Sequence, residues 1–340
     1  MHTNFHTFPQ YTYVIFTLRR WLFLKRLDNL YDKICNIDNI NYIYNQICKK
    51  INNKAKLEHL KEYHCFYISK IYSILKSETY SVSPYHIFTI YEPKKRRIVS
   101  LSLQDKIINH LVSTYIILPA ISPCLIDANV ASRVGLGSKK GLELANKFHK
   151  TCSIKFSNYY ILKCDISKFF QSIDHNILLA KLERKIKDKK ALKILSTIIE
   201  SDENGLSIGA MSSQLLAIFY LNDLDHYIKE VLKIKYYVRY QDDFLLFHQD
   251  KQYLKQCLEK IKLFLSKENL TLNRKTRIYS NKDNFLFLGT NRKGNYAKYR
   301  TVKRRLKKRA YLYCSKQIPL VSYASSIISY NYLLKKRNTS

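Results

Sequence analysis

The chain has 340 residues, of which 46% are hydrophobic and 13% aromatic, so its composition excludes an intrinsically disordered protein and predicts a substantial core. With only 7 glycines and 6 prolines, collagen-like and loop-dominated architectures are excluded as well. The 59 Lys and Arg residues outnumber the 26 Asp and Glu residues, and the net charge of +33 argues against a typical small-molecule enzyme and for a polyanionic partner.

The eight cysteines are scattered along the chain. None forms a C-x-x-C pair and no histidine lies at zinc-finger spacing, so no structural zinc site is expected. The N-terminus lacks the basic region of a secretory signal, which together with scattered cysteines predicts reduced thiols and a cytoplasmic protein. The apolar run Tyr11–Leu18 is too short to span a bilayer. It predicts a core helix, with an interfacial membrane helix as the alternative, and no membrane partner is expected.

Taken in chain order, the first predicted elements are helices, because apolar residues recur at helical spacing through the first 80 residues, as at Ile68, Ile71 and Leu75. The next elements are a hairpin of Ile87–Tyr91 with Arg97–Val99 and a long helix from about Leu103 to Leu118. The segment Ser132–Gly141 has the spacing G-x-G-x-x-x-G and follows no predicted strand, so a Rossmann fold is rejected.

The second half of the chain mixes strands and helices. In order, the predicted elements are a strand at Tyr159–Asp165, helices within Asn176–Glu200, a turn at Gly205–Gly209, a helix at Ser212–Leu232, a hairpin over Tyr236–His248, a helix at Leu254–Leu265, a short strand at Phe285–Leu288 and a basic helix from Val302 onwards. No internal repeat or low-complexity linker separates them.

Three carboxylates stand where a strand or hairpin should bury them. Asp165 ends an apolar strand, and Asp242 and Asp243 interrupt the hairpin at its most apolar point. Like charges inside such a run are costly unless a cation neutralises them. Two Mg²⁺ ions would do so, since hard cations take carboxylate oxygens and leave positions for phosphates, and such a pair stabilises an in-line phosphoryl displacement. The alternative for Asp242-Asp243 alone is a polar hairpin turn.

The flanking residues point away from that alternative. Tyr240–Asp243 forms a Y-x-D-D box, and with Asp165 upstream in a basic chain the sequence resembles a bacterial reverse transcriptase, an RNA-directed DNA polymerase. The resemblance implies an α+β fold, a right-hand polymerase with fingers, a palm of antiparallel sheet plus helices, and a helical thumb. The implied domains are an N-terminal helical extension (1–80), fingers (81–150), palm (151–290, with a fingers-like helical segment near 176–205) and a basic thumb (291–340).

The resemblance extends through further motifs in family order. They are Pro93–Ile98, Gln104–Asn109 (where Lys106 and Asn109 depart from the usual Arg and Gln), Arg133–Ser138, Leu206–Gln214 with Asn222, Leu272–Thr276 and Phe285–Gly289. In the first motif the resemblance implies that an Arg clamps the incoming triphosphate. Arg97 is the choice, with Arg96 as the alternative and Lys95 as a further nucleotide contact.

The resemblance also implies the roles of individual residues. Asp165 and Asp242 would ligate both metals, and the Ile166 carbonyl would also reach one of them. Asp243 would be the more peripheral carboxylate, and Lys275 would protonate the leaving group. Phe170 would be the steric gate that excludes a ribose 2′-hydroxyl, the alternative being a core aromatic. Other nucleotide contacts are Ile208, Gly209 and Gln214, and primer or template contacts are Tyr240, Leu288, Gly289 and Arg133. The basic helix presents Lys303, Arg304, Lys307 and Lys308 either to a phosphate backbone or simply to solvent.

The central motif indicates a subtype. Ile208-Gly209 and Ser213-Gln214 replace the Gln-Gly and Ser-Pro of intron and retron enzymes, which resembles the enzymes of diversity-generating retroelements. Expected partners are template RNA, a DNA or RNA primer, their RNA–DNA hybrid, dNTPs and a small basic accessory protein, with two Mg²⁺ ions as cofactors and Mn²⁺ as substitute. Ile208 offers no hydrogen bond, which predicts low fidelity. The alternatives are a phage-defence or retron-like reverse transcriptase, and a catalytically idle RNA-binding relative.

Overall fold

The computed structural model describes residues 26–90, 96–291 and 299–335. The apolar run Tyr11–Leu18 and the candidate nucleotide contact Lys95 lie outside these residues. Helices and strands are numbered below in chain order.

The described part of the N-terminal extension, from residue 26 onwards, is helical, as its apolar spacing predicts. Its helices are α1 (Tyr31–Ile34), α2 (Ile37–Cys48), α3 (Lys54–Glu62) and α4 (His64–Lys76). Ile40, Ile43, Tyr44 and Ile47 recur every three or four residues on α2 and are all buried. The extension therefore belongs to the main core of the protein, where these residues join those of the later helices.

An antiparallel hairpin and a long buried helix follow. Strands β1 (His86–Ile90) and β2 (Arg96–Ser100) pair with His86 opposite Ser100. Helix α5 (Leu103–Val112) continues through a π-helical turn at Ser113–Ile117 into α6 (Leu118–Ile121), so the run extends slightly beyond the predicted end at Leu118. By length and composition the run Leu103–Cys124 could cross a membrane, but 61% of its most apolar window is buried inside the protein, which is typical of a core helix.

The palm is a four-stranded antiparallel sheet in the order β4-β5-β3-β6. Its strands are β3 (Tyr160–Asp165), β4 (Tyr236–Tyr240), β5 (Asp243–His248) and β6 (Arg277–Ser280). Along β5, Phe244 and Leu246 join one hydrophobic cluster while Leu245 and Phe247 join the other. Because both faces of the sheet are covered, β5 reads as a continuous apolar run rather than an alternating one.

The other described helices surround this sheet and extend beyond it. They are α7 (Ser138–Lys155), α8 (Phe169–Ser172), α9 (His175–Glu183), α10 (Lys189–Ile199), α11 (Met211–Tyr220), α12 (Asn222–His226, followed by a π-helical turn at Tyr227–Val231), α13 (Lys251–Lys267), α14 (Tyr299–Cys314) and α15 (Leu320–Lys335). Helix α7 packs on β4 and β5, whereas α13 packs against β3, β5 and β6.

The strand predicted at Phe285–Leu288 is shorter than expected. Only Leu286–Phe287 (β7) is extended, and it pairs with Thr290–Asn291 (β8). Leu288 (φ +50°) and Gly289 (φ +77°) form the connecting turn in left-handed backbone conformation, which ends the strand.

One carboxylate joins the N-terminal extension to the rest of the protein. Asp188 Oδ1 accepts hydrogen bonds from the backbone N–H groups of Lys190 and Ala191 and so caps α10. Its Oδ2 accepts from the N–H groups of Leu30 and Tyr31, at the start of α1, each at 2.8 Å. A single side chain thus satisfies the first turns of two helices that are far apart in sequence.

Asp188→Ala is expected to lower the free energy of unfolding by about 2–3 kcal/mol, because a lost N-cap costs roughly 0.5–2 kcal/mol and two helix starts are affected. Asp250→Ala is the matched control, since Asp250 caps only α13 through Gln252 and Tyr253. Denaturant titration of both variants measures the difference. Equal losses in the two variants would contradict the shared cap.

Candidate active site

The three predicted carboxylates meet at one end of the palm sheet. Asp165, the last residue of β3, lies directly opposite Asp243, the first residue of β5. Asp242 precedes it in the two-residue turn after β4, and its backbone carbonyl accepts a hydrogen bond from Ile166 N at 3.3 Å. All three aspartates are half-buried. The antiparallel pairing of β3 with β5 is what brings the two motifs together.

Ile166 lies between the Asp242 turn and the segment around Leu272. On its other side Ile166 forms an isolated antiparallel bridge with Leu272, flanked by the bonds Ser167 N to Thr271 O and Asn273 N to Asp165 O. The N–H and C=O of one extended residue point to the same side. Because Ile166 N–H points to the Asp242 turn, its carbonyl is expected on the same side, and its contact with a metal stays a prediction.

Asp243 forms an ion pair with a lysine of the neighbouring strand. Lys163 Nζ lies 2.5 Å from Asp243 Oδ1 and 5.7 Å from the centre of the Phe287 ring. Burial, together with the charges of Asp165 and Asp242, raises the pKa of Asp243 to about 6 despite the opposing effect of Lys163. The carboxylates therefore repel one another, and the ion pair with Lys163 offsets part of that repulsion at Asp243. The peripheral role of Asp243 stays a prediction.

The donor set fits a hard divalent cation. Asp165, Asp242 and the Ile166 carbonyl offer oxygen ligands only, which is the preference of Mg²⁺. Among the described residues no three Asp, Glu, His or Cys side chains converge closely enough to hold an ion by themselves. The remaining coordination positions would have to come from water or from substrate phosphates, which is how Mg²⁺ is usually bound in phosphoryl-transfer enzymes.

Phe170 is held close to this end of the sheet by its backbone. It lies in the short helix α8, is half-buried, and its carbonyl accepts a hydrogen bond from Leu206 N at 2.7 Å. Gly205 (φ +66°) packs so tightly that a Cβ there would collide with the Phe170 carbonyl oxygen. The Phe170 ring contacts Phe169 edge-on and packs partly against the core. The steric-gate role stays a prediction.

The fingers hairpin docks on the loop that carries Ile208 and Gly209. Val99 N, on β2, donates to Ile208 O at 3.0 Å. Gly209 has φ +136°, and a Cβ there would collide with the Val99 carbonyl oxygen. Arg97 is exposed on the same strand, two residues before this contact, and its charge partly offsets the rise that burial causes in the pKa of Asp202. Position 209 therefore requires glycine for a structural reason, whether or not this residue also contacts the nucleotide.

Gly209→Ala is expected to lower the free energy of unfolding by about 3 kcal/mol, through backbone strain together with collision at Val99. Gly137→Ala is a matched control, because Gly137 has a similar φ of +127° but a methyl group at that position would have no other atom within 4 Å. That control should cost only about 1 kcal/mol. Similar losses in denaturant titration would show that the hairpin contact contributes nothing.

Hydrogen bonds join two of the predicted motifs through Ser132, the residue just before a third motif. Gln241 Nε2 donates to Ser132 Oγ at 2.9 Å, and Ser132 Oγ donates to Gln214 Oε1 at 3.4 Å. Gln214 is exposed on α11. Arg133 Nη1 donates to the carbonyls of Ile126 and Asn129, so its guanidinium braces its own loop. A template contact by Arg133 stays a prediction.

The other predicted residues flank this centre. Tyr240 pairs with Asp243 across the hairpin. Lys275 is exposed in a turn that follows Asn273, whose N–H bonds Asp165 O at 2.7 Å. Leu288 and Gly289 form the β7–β8 turn described above. The four basic residues Lys303, Arg304, Lys307 and Lys308 are exposed on α14, whereas Arg309 faces α15 and donates to Ser322 and Ser326.

Two cations near the centre were missed by sequence reasoning. Lys163 lies two residues before Asp165 on the same strand, so the strand period of two could have indicated that both side chains share a face. Arg239 is completely buried and pairs with Asp225 of α12. No local pattern marks that second pair, because its partners belong to separate elements.

Comparisons with known proteins identify a family for most of the chain. The model of the family described as "Reverse transcriptase (RNA-dependent DNA polymerase)" matches residues 83–292. The chain is 28% identical over 177 residues to the "Uncharacterized 91 kDa protein in cob intron" of Schizosaccharomyces pombe, covering 48% of this chain and 21% of that protein. It is 22% identical over 223 residues to the "Putative COX1/OXI3 intron 1 protein" of Saccharomyces cerevisiae, covering 61% and 26%.

Solved structures of telomerase are also similar. The Candida albicans enzyme, solved in complex with a telomeric RNA fragment, has a TM-score of 0.49 at 14% identity, covering 70% of this chain and 52% of that one. The chain thus spans about a quarter of the length of the two curated relatives and about half of this telomerase chain.

Proposed function

Because the chain belongs to the reverse transcriptase family, we propose that it is an RNA-directed DNA polymerase that adds dNTPs to a primer on an RNA template. The observation that carries the proposal is the meeting of Asp165 and Asp242 at one end of the palm sheet, next to the Ile166 carbonyl. The exposed basic residues of α14 and the net charge of +33 support a nucleic-acid duplex as partner.

Each part of the site has a task in this reaction. Two divalent ions, Mg²⁺ with Mn²⁺ as substitute, would supply charge stabilisation for the in-line displacement when held by Asp165, Asp242 and the Ile166 carbonyl. Arg97 on the fingers hairpin binds the triphosphate of the incoming nucleotide, with Arg96 as the neighbouring candidate. Lys275, exposed beside the segment that pairs with Asp165, gives a proton to the pyrophosphate leaving group.

Primer extension on a defined RNA template tests the proposal. We expect the full chain to extend a DNA primer with dNTPs in the presence of Mg²⁺ or Mn²⁺ and to stop when the metal is chelated. Filter binding of the same RNA in the same buffers is the matched measurement. RNA binding with no extension under either metal would overturn the proposal and favour an idle RNA-binding relative.

We further propose that the enzyme is of the low-fidelity, retroelement-diversifying type. Ile208 supports this subtype because its aliphatic side chain lies half-buried beside the fingers contact and can neither donate nor accept a hydrogen bond. One orienting interaction on the nascent base pair is then missing. The preference for errors opposite adenine rests on the family resemblance alone.

Ile208→Gln is expected to lower the error rate by about tenfold or more, because a hydrogen bond made only to the correctly placed nucleotide discriminates by about 1–3 kcal/mol. Sequencing cDNA copied from a defined RNA measures the change. Ile208→Val, which keeps an aliphatic side chain, is the control and should leave the error rate unchanged. An unchanged error rate with Gln would overturn this mechanism, and uniformly accurate copying by the parent enzyme would favour the phage-defence or retron-like alternative.

A further inference from the structure

A completely buried ion pair lies just behind the turn that carries Asp242. Arg239 on β4 and Asp225 on α12 are both 0% exposed. Arg239 Nε donates to Asp225 Oδ1 at 2.7 Å and Arg239 Nη2 to Oδ2 at 2.5 Å. Tyr237 Oη adds a third hydrogen bond to Asp225 Oδ1 at 2.6 Å. This bidentate geometry holds the guanidinium plane in a single orientation.

The same guanidinium reaches two further elements. Arg239 Nη2 donates to the carbonyl of Ile218 on α11 at 3.1 Å, and Arg239 Nη1 donates to the carbonyl of Gln241 at 3.0 Å. The Arg239 backbone also pairs with the loop that precedes α7. Its N–H donates to Ala128 O at 2.8 Å, and its carbonyl accepts from Val130 N at 3.0 Å. Arg239 therefore connects the β4–β5 hairpin, which carries Asp242, to α11, α12 and this loop.

The bond to Gln241 acts on a strained part of the backbone. Gln241 has φ +55°, a left-handed conformation that residues with a Cβ disfavour. Arg239 holds the carbonyl before Asp242, and Ile166 N holds the carbonyl of Asp242 itself. Both peptide groups on either side of the Asp242 side chain are thus fixed in direction.

Stability alone does not account for this arrangement. Taking two charges out of water is costly, and replacing a buried ion pair with apolar residues of similar size is often neutral or stabilising. An apolar residue at position 239 would fill the space but could not donate to Gln241. The hydrogen bond to the turn is the contribution for which a guanidinium is needed.

We propose that Arg239 is a positioning residue, which, anchored by Asp225, directs the Asp242 carboxylate toward Asp165 by holding the Gln241 carbonyl. The kinetic part of this inference rests on the proposed polymerase function. Its metal-binding part does not, because the affinity of the Asp165–Asp242 site for Mn²⁺ is measurable without turnover.

Three variants of the full chain separate positioning from packing. Arg239→Lys keeps the positive charge beside Asp225 but loses the planar set of donors that reaches Gln241. The triple variant Arg239→Met, Asp225→Leu, Tyr237→Phe removes the whole polar cluster and leaves no buried charge, so it keeps a route to a folded protein. Tyr237→Phe alone is the control, since it removes one hydrogen bond from Asp225 and leaves the bond to Gln241 intact.

The measurements are Mn²⁺ binding by electron paramagnetic resonance, the melting temperature, and kcat and dNTP KM in primer extension. We expect Arg239→Lys and the folded triple variant to bind Mn²⁺ at least tenfold more weakly and to lose at least tenfold in kcat, with KM changed less than threefold. Tyr237→Phe should lower only the melting temperature. Asp242→Asn marks the lower limit of Mn²⁺ binding.

Wild-type Mn²⁺ affinity and kcat in the folded triple variant would overturn the positioning role, as would equal losses of affinity in Tyr237→Phe and Arg239→Lys. If Arg239→Lys fails to fold, the triple variant decides by the same criteria, and if the triple variant also fails to fold, the cluster is structural and the proposal is overturned. A wild-type chain that binds Mn²⁺ but extends no primer refutes the polymerase function separately, and Mn²⁺ affinity then decides the positioning role.

Discussion

Asp165→Asn and Asp242→Asn should each reduce primer extension by about a thousandfold, the scale on which removal of one charge-stabilising group from an active site acts. Asparagine keeps the shape of the side chain but removes the charge that would hold divalent metal. Both residues lie at the shared end of β3 and β5, and neither is in the buried core that folds the palm. Single-turnover extension of a labelled primer measures the loss.

Three controls distinguish loss of the metal site from loss of RNA binding or of folding. RNA affinity should change less than about twofold, because it comes from distributed contacts between phosphates and basic residues. The melting temperature should not fall, since Asp165 and Asp242 raise the pKa of Asp243 and their neutralisation relieves that repulsion. Asp250→Asn, at the exposed cap of α13, is the surface control. Near wild-type extension by either active-site variant would show that the metal site is wrongly assigned.

Phe170→Ala is expected to raise the ratio of rNTP to dNTP incorporation by about a hundredfold, because removing the ring opens space for a 2′-hydroxyl. The structure indicates that this substitution keeps the backbone in place. Two of the contacts that place residue 170, its carbonyl bond to Leu206 N and the close approach of Gly205, involve only the backbone and are kept when the ring is removed. Alanine should therefore keep the loop in place. Incorporation efficiencies for matched rNTP and dNTP pairs on one RNA template provide the measurement.

The neighbouring ring supplies the control for this experiment. Phe169 is 3% exposed and contacts Phe170 edge-on, but it belongs to the core. Phe169→Leu should lower the free energy of unfolding by about 1 kcal/mol and leave sugar discrimination unchanged. If the ratio stays constant in folded Phe170→Ala, Phe170 is a packing aromatic like its neighbour.

The sequence by itself determined the elements and their order. The hairpin over residues 236–248 and the strand ending at Asp165 follow from β-branched and aromatic runs bounded by polar bends, which are local signals. The long helix from Leu103 and the helical extension follow from apolar periodicity. Because carboxylates at strand ends are visible in the chain itself, the pair of Asp165 and Asp242 could be predicted without a structure. The order of the motifs along the chain, through the family resemblance, also predicted a polymerase palm.

Only the tertiary structure decided which partners these residues have. The pairing of β3 with β5 places Lys163 against Asp243, the crossing of β4 with α12 buries Arg239 against Asp225, and Asp188 caps α1 across the interface with the extension. Each of these contacts joins residues from different elements, whose relative placement depends on packing of the whole core rather than on local propensity. The collision that reserves position 209 for glycine likewise exists only once the fingers strand has docked. Local sequence signals therefore identified the functional side chains, and long-range packing determined their geometry and partners.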